Sequence, residues 1–233
     1  MQTMPEKPVA PAAPPDPALA DVADAPVVIT IARDFGAEGH EIGKMLSVRL
    51  GLPLYDNEIL VRAALRNGAS VDDVAAFDER PAAASGAFLP DRADARTRGD
   101  ELFDAVARVI TDLGSSRPCI IVGRLSEYIL RANPNVVSVL VTAPFSARVE
   151  IVRAKRGLSR ARGERLVRQR QREREAFYRR YSAGRCRLHD HKSLVVDRAA
   201  FGREGCCEVI EAAYRAKLEE LAKRRAPEAP GGE

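Results

Sequence analysis

The chain has 233 residues, 45% of them apolar and 30% charged, with a formal net charge of +4 and no tryptophan. A chain of this length and composition is expected to form one α/β domain, or two small ones, around a real hydrophobic core. No run approaches the roughly 18 consecutive apolar residues that span a bilayer, which argues against a membrane protein.

Both ends of the chain have compositions typical of disordered tails. Residues 1–26 are rich in proline and alanine and hold no apolar signal core, and residues 224–233 form the second tail. The missing export signal predicts a cytoplasmic protein. The residues between the tails, 27–223, are predicted to form a single α/β domain.

Apolar runs and helical patterns alternate along this domain. The apolar runs predict strands at Val27–Ala32, Pro118–Gly123, Val136–Thr142 and Ser193–Asp197, with a further strand start in GLPLYD. Apolar residues at helical spacing predict helices at Glu41–Leu50, Glu58–Arg66, Glu101–Leu113, Ser126–Arg131, Phe145–Arg156 and Glu204–Ala222. A long basic helix, or a helix pair, is predicted at Arg160–Arg180, and residues 67–99 are loop-rich. The alternation predicts one parallel sheet flanked by helices on both faces.

The first predicted strand leads through a glycine-bearing turn into a helix. Such a turn directs backbone N–H groups and the positive helix end towards an anion, and Gly36 and Gly39 permit the tight turn that this needs. The phosphate-loop pattern GxxxxGK[ST] is not satisfied, because Gly43 and Lys44 lie inside the predicted helix and Met45 follows them. Taken alone, this stretch fits a phosphate site and an ordinary strand–turn–helix equally well.

The stretch RDFGAEGHEIGKMLSVRLGLPLYDNEIL resembles the opening of the cytidylate kinase-like family, relatives of the P-loop nucleoside monophosphate kinases. The likeness continues in IIVGRLSEYIL, SVLVTAPFSARVEIV, AFYRRY and SLVVDRAAFGREGCCEVI. It implies a P-loop nucleotide-kinase fold with a helical acceptor insert and a basic lid at about residues 157–190. The implied activity is ATP-dependent phosphoryl transfer, supported by Mg²⁺, to a nucleoside monophosphate, with CMP or dCMP as the first choice.

The resemblance also shows where the donor loop is altered. Arg33 stands at the first loop glycine, Gly39 at the phosphate-binding lysine and Glu41 at the magnesium-binding Ser/Thr. Arg33 is therefore the candidate substitute for the lysine, whereas Lys44 is predicted to be a solvated helix residue. His40 is either a further phosphate contact or an exposed loop histidine. The candidate donor-binding residues are Arg33, Gly36, Gly39, His40 and Glu41.

The same resemblance assigns residues to the acceptor and the lid. Asp56 and Arg124 are implied to hold the acceptor, although Asp56 could equally cap the helix that follows it. Four arginines follow the TAP turn or lie in the lid-like run: Arg148 and Arg170 as substrate contacts, and Arg153 and Arg174 as catalytic residues beside Arg33.

Two other functions stay open at this point. The missing lysine favours a catalytically weak or inactive nucleotide sensor. The arginine-rich stretch from Arg160 to Arg187 also fits a solvated helix face or a nucleic-acid surface, although the interleaved aromatics of a single-strand binder are missing. Cys186, His189 and His191 do not have an established zinc spacing, so no metal site is assigned.

Overall fold

The computed structural model of the chain describes residues 26–66 and 98–225. Nearly all of the two predicted tails and of the loop-rich stretch at 67–99 lies outside these residues. Arg224 and Arg225, predicted as the start of the C-terminal tail, belong instead to the last helix.

Five strands form one parallel sheet in the order β2-β3-β1-β4-β5. The strands are β1 (Val28–Arg33), β2 (Leu54–Tyr55), β3 (Cys119–Val122), β4 (Val136–Thr142) and β5 (Leu194–Asp197). In the register, Val28 of the central strand β1 lies opposite Cys119 on one side and Val136 on the other. The predicted single parallel sheet is therefore confirmed.

The helices of the described residues follow the strands in the predicted order. They are α1 (Gly39–Leu50), α2 (Asn57–Arg66), α3 (Arg98–Ser116), α4 (Ser126–Ile129), α5 (Phe145–Arg156), α6 (Arg160–Tyr181) and α7 (Arg198–Arg225). The basic run is one continuous helix, α6, rather than a pair. Helix α7 starts six residues earlier than predicted and contains non-helical backbone at Gly202. None of the helices in the described part of the chain is both long enough and apolar enough to cross a membrane.

Side chains of β1 alternate between two cores, one on each face of the sheet, because successive side chains of a strand point to opposite sides. Ile29 and Ile31 belong to the core that also contains residues of α1 and α7. Val28 and Ala32 belong to the other core, with residues of α2, α3 and α6. Each fully buried aliphatic side chain contributes about 1.5–3 kcal/mol to folding, so the central strand is held firmly from both sides.

Helix α1 is fitted closely to the sheet, which fixes the loop before it. A Cβ atom on Gly43 would lie 3.0 Å from Val122 Cγ2, so the missing side chain lets the helix approach β3. The helix ends, as predicted, at Gly51 in the left-handed conformation, whose N–H donates to the carbonyl of Ser47.

Candidate functional site

The candidate site lies where the central strands end, because parallel strands bring their carboxyl ends to one edge of the sheet. The loop 34–38 follows β1 there, the turn 123–125 follows β3, and helix α6 lies against both. This is the edge at which the sequence predicts a ligand.

Asp34, which was not among the predicted residues, contacts several elements at this edge of the sheet. Its side chain is 5% exposed, and one carboxylate oxygen accepts a hydrogen bond from Thr142 Oγ1 at 2.6 Å. The other oxygen accepts from Gln171 Nε2 at 2.9 Å and lies 3.2 Å from His189 Nε2. Asp34 thus joins β1 to β4, to α6 and to the segment that follows α6.

The loop backbone is held by side chains of other elements. The N–H of Phe35 donates to Gln171 Oε1 at 3.0 Å, and Arg148 donates to the carbonyl of Ala143 at 2.9 Å and to that of Phe35 at 3.4 Å. Gly36 has φ +90°, and a Cβ atom there would lie 2.9 Å from the carbonyl oxygen of Arg148. The glycine therefore serves the close packing of the loop on α5.

Arg33, the candidate substitute for the loop lysine, extends towards β3 and the backbone of Gly123. A Cβ atom on Gly39 would lie 2.6 Å from Arg33 Cβ, and one on Gly123 would lie 1.9 Å from Arg33 Nη1. Gly39 at the start of α1 packs against the Cβ atom of Arg33, so the side chain does not extend towards that helix. Gly123 has no side chain, which leaves room for the guanidinium on the β3 side. The guanidinium therefore reaches the ends of β1 and β3 together.

Two further predicted arginines meet Arg33 at this edge. Arg174 of α6 donates to the carbonyl oxygen of Arg33 at 2.6 Å and lies 6.0 Å from the ring centroid of Phe35. Arg124 is buried, has φ 57°, and lies with its guanidinium 5.4 Å from the ring centroid of Phe177. Three side chains far apart in sequence therefore form one basic cluster, Arg33, Arg124 and Arg174, which we call the arginine cluster.

The start of α1 carries its own acidic groups. Glu38 is nearly buried and pairs with Lys155 Nζ at 3.1 Å and with Arg198, and Glu41 pairs with the same Lys155 at 2.6 Å. Burial opposes ionisation of Glu41, but the hydrogen bond from Lys155, a backbone hydrogen bond and the charge of Lys155 together outweigh it and lower the pKa of this carboxyl. Carboxylates and cations therefore neutralise one another at the helix end where a phosphate would bind.

His40, at the start of α1, lies beside Asp56, which directly precedes α2. His40 Nε2 is 3.9 Å from Asp56 Oδ2, and partial burial, followed by the charge of Lys44, lowers the pKa of His40. Asp56 Oδ1 accepts the N–H of Ile59 at 3.1 Å, so Asp56 caps α2 as one of the two sequence interpretations predicted.

Two further predicted site arginines, Arg153 and Arg170, hydrogen-bond to residues of α5, of α6 and of the turn between these helices. Arg153 donates to Glu150 at 2.5 Å and to the carbonyl of Leu158 at 3.4 Å, which joins α5 to the turn before α6. Arg170 donates to Glu173 at 3.0 Å on its own helix. Lys44 is exposed, as predicted.

The segment that contains Cys186, His189 and His191 does not bring these side chains together in one site. Cys186 is buried and donates to the carbonyl of Arg187, whereas His189 faces Asp34. Within residues 26–66 and 98–225 no group of three or more His, Cys, Asp or Glu side chains is placed to hold a metal ion.

A cleft of about 250 Å³ lies beside α3 and the end of α6, away from the β1 loop. Its lining includes Phe103, Tyr128 and Tyr181. The cleft also has charged residues in its lining, such as Asp100 and Arg180, but no residue of the loop 34–38 or of the turn 123–125 lines it. We place the chemistry at the strand ends instead, because Arg33, Arg124 and Arg174 lie there.

The donor set at the strand ends fits a phosphorylated nucleotide. Guanidinium groups and a helix N-terminus are the groups that bind phosphate, and cations outnumber carboxylates around the loop. The set does not fit a magnesium ion, because the oxygens of Asp34 already accept hydrogen bonds and Glu38 and Glu41 are paired with Lys155.

The order of the five parallel strands and the helices that flank them define the class: the fold is that of the P-loop kinases. The chain belongs to the cytidylate kinase-like family, whose sequence profile matches residues 28–199.

Solved structures share this fold at low sequence identity. An uncharacterized protein from Eubacterium ventriosum is 17% identical, with a TM-score of 0.63, over 82% of this chain and 99% of that one. A gluconokinase from Sinorhizobium meliloti is 14% identical, with a TM-score of 0.52, over 86% of this chain and 98% of that one. Among curated proteins no sequence matches the chain.

Several residues of this edge were missed by the sequence interpretation, namely Asp34, Thr142, Gln171, Glu38, Lys155 and Arg198. A signal existed for one of them. Gln171, Arg174 and Tyr178 lie at i, i+3 and i+7, which places them on one face of a helix, and Arg174 was already assigned to the site.

Proposed function

We propose that this protein binds a nucleoside monophosphate, CMP or dCMP first, and transfers a phosphoryl group to it from ATP. The observation that carries the proposal is the convergence of Arg33, Arg124 and Arg174 at the ends of β1 and β3. Family membership supports the choice of a nucleotide and of phosphoryl transfer.

In this proposal the arginine cluster holds the phosphates. Arg124 binds the acceptor phosphate from the β3 side, and Arg174 reaches the transferring group from α6. Arg33 lies between them and supplies the positive charge that a loop lysine would otherwise give. ATP would supply the phosphoryl group near the start of α1, and any magnesium would arrive bound to its phosphates, since the described residues offer no ligand set for it.

The primary test combines binding with turnover. Calorimetric titration of CMP, dCMP and the other monophosphates should show the tightest binding for a cytidine nucleotide, and a coupled assay with ATP should show turnover of the same compound. Turnover of no monophosphate, with tight CMP binding, would reject the kinase and leave a nucleotide-binding protein.

Arg124→Ala tests the assignment of the acceptor phosphate. Losing a charge-assisted contact costs about 1.5–3 kcal/mol, so CMP affinity should fall about tenfold or more, with a smaller change for ATP. The matched control is Arg131→Ala, since Arg131 stacks on Tyr128 and is exposed. Unchanged CMP affinity in Arg124→Ala would remove this residue from the site.

One observation favours the second candidate, a nucleotide sensor without turnover. Glu38 and Glu41 pair with Lys155 and Arg198 at the start of α1, so these cations are already neutralised where a donor triphosphate would bind. Glu38→Gln separates the two functions: a sensor keeps its CMP affinity and gains no turnover, whereas a kinase limited by this pairing gains affinity for ATP.

A further inference from the structure

A buried charged network lies directly beneath the arginine cluster. Glu127 of α4 and Lys192, which follows α6, form an ion pair with 2.6 Å between Nζ and Oε1, and their side chains are 2% and 1% exposed. The hydroxyl of Tyr178 donates to the same Oε1 at 2.7 Å. Lys192 also donates to the carbonyl of Asp190 at 3.0 Å.

This network is unusual for a structural contact. Burying an ion pair generally gains little stability over apolar residues of the same volume, because both ions lose their water. In addition, Glu127 Oε2 is buried and has no hydrogen-bond partner among the described residues. The arrangement therefore calls for a reason other than stability.

The network connects two members of the arginine cluster. Glu127 lies three residues after Arg124, and Tyr178 lies one helical turn after Arg174 on α6. Burial and then the charge of Glu127 raise the pKa of Tyr178, and the charges of Arg33 and Arg174 oppose this shift, so these cations lie close to the phenol.

The backbone at Arg124 needs such an anchor. Arg124 and Leu125 are consecutive non-glycine residues in the left-handed region, with φ 57° and 59°, directly after Gly123 with φ 78°. Left-handed backbone at such residues persists only when the surrounding structure determines it. Helix α4, which carries Glu127, begins at the next residue, Ser126.

We propose that Glu127, Lys192 and Tyr178 are positioning residues that hold Arg124 and Arg174 in register around the monophosphate. This inference rests on the proposed monophosphate site. The carboxylate of Glu127 fixes the strained turn after β3 and, through Tyr178, fixes the inner face of α6. Lys192 neutralises that carboxylate at the same oxygen, Oε1, that Tyr178 binds.

The test separates positioning from stability by replacing the pair as a unit. Lys192→Met alone leaves an unpaired buried carboxylate and should lower the melting temperature strongly. Glu127→Met combined with Lys192→Met removes both charges and should restore the melting temperature. The double variant should still bind CMP about tenfold more weakly than the wild type, whereas a merely structural pair would regain full affinity. Arg224→Ala, in an exposed pair on α7, is the control and should change neither quantity.

A second variant and a ligand-free measurement complete the test. Tyr178→Phe keeps the ring and removes only the hydroxyl, and CMP affinity should fall about threefold or more. Nuclear magnetic resonance of the arginine Nε–H groups without ligand should show slow solvent exchange for Arg124 and Arg174 in the wild type and faster exchange in both variants. Wild-type affinity with wild-type exchange rates in the double variant and in Tyr178→Phe would overturn the positioning role. If the wild-type protein binds no monophosphate but the exchange rates still respond, the positioning role holds and the proposed ligand is wrong.

Discussion

At the scale of single residues, Gly123 decides where Arg33 lies. The guanidinium occupies the space that a side chain on residue 123 would fill, and the φ of +78° adds a cost of about 1–2 kcal/mol for any residue with a Cβ atom. The arginine cluster thus depends on the lack of a side chain at Gly123 as well as on the three arginines.

Gly123→Ala should therefore act like Arg33→Ala. Both variants should weaken CMP binding or turnover about tenfold or more, because the first displaces the guanidinium and the second removes it. Isothermal titration and the coupled assay measure the effect, with thermal melting to account for the backbone strain in Gly123→Ala.

Lys44→Ala is the matched control for both variants. Lys44 is exposed on α1, so its loss should leave nucleotide binding nearly unchanged. Suppose that Lys44→Ala strongly weakens nucleotide binding and Arg33→Ala does not. Lys44 would then be the phosphate-binding lysine, and the alignment of this loop with the family would be wrong.

The charged partners of the site illustrate which residues a sequence can reveal. Arg33, Arg124 and Arg174 follow predicted strands or lie in a basic run, so pattern and family likeness predict them. The partnership of Asp34 with Gln171 and His189 depends on side chains that meet only after the whole sheet has formed. No local pattern marks Asp34, because an aspartate after a strand is also typical of an ordinary turn.

At the scale of elements, α6 is anchored along its second half. The implied lid was expected to move and to become protected on ligand binding. Gln171, Arg174 and Tyr178 bind Asp34, the carbonyl of Arg33 and Glu127, whereas the first half of the helix carries many exposed arginines. Any opening would have to break the contacts of the second half.

Hydrogen exchange should accordingly divide α6 into two parts. Val167 in the first half packs on α5, but the side-chain hydrogen bonds to the β1 loop and to α4 come from the second half. Without ligand, amides of 171–181 should therefore exchange slowly, and those of 160–168 should exchange about tenfold faster, since the less firmly tied half opens more readily. Mass spectrometry of exchange with and without CMP plus ATP measures both parts. Uniformly fast exchange along α6, suppressed by the nucleotide pair, would instead support a mobile lid over its full length.

The boundaries of the elements were predictable where sequence signals were strong. The bounds of β4 and α5 agree with prediction to the residue, because an apolar run and a proline-led helix define them. Helix α1 begins at Gly39 rather than Glu41, since a glycine-bearing start carries no propensity signal. Helix α7 begins directly after β5, with a change of direction at Gly202 that helical periodicity does not reveal.

At the scale of the whole molecule, the pKa shifts determine how the stability of the fold changes with pH. Burial opposes ionisation of Glu41 and Glu211, but the hydrogen bonds and charges of their basic partners together outweigh it and lower both pKa values below 4.5. Carboxyls whose pKa values are lowered by folding stabilise the protein above that pH, and this contribution is lost as the pH falls through their folded values. Burial lowers the pKa of His40 from 6.5, so stability should already begin to fall below pH 6.5.

The alkaline side has the opposite sign. Burial raises the pKa of Cys119 from 9.0 to about 12 and that of Tyr214 from 10.0 to about 12. Unfolded chains lose these protons first, so the stabilisation present below pH 9.0 is lost as the pH rises towards the folded values. The melting temperature should therefore be highest between pH 6.5 and 9.0 and fall on both sides. Thermal melting across pH 4–11 measures this, and a maximum at pH 5 would contradict the assigned shifts.

The parallel register also governs how the chain reaches its native state. Val28 pairs with Cys119 and with Val136, each about a hundred residues further along the chain. The central strand β1 can form its hydrogen bonds only after β3 and β4 have come to lie beside it. Large loops must therefore close, at a cost in entropy, before most of the favourable contacts form. During synthesis at roughly 5–20 residues per second, the first strand waits at least several seconds with both of its edges unpaired. Refolding after dilution from denaturant should be slow for the same reason.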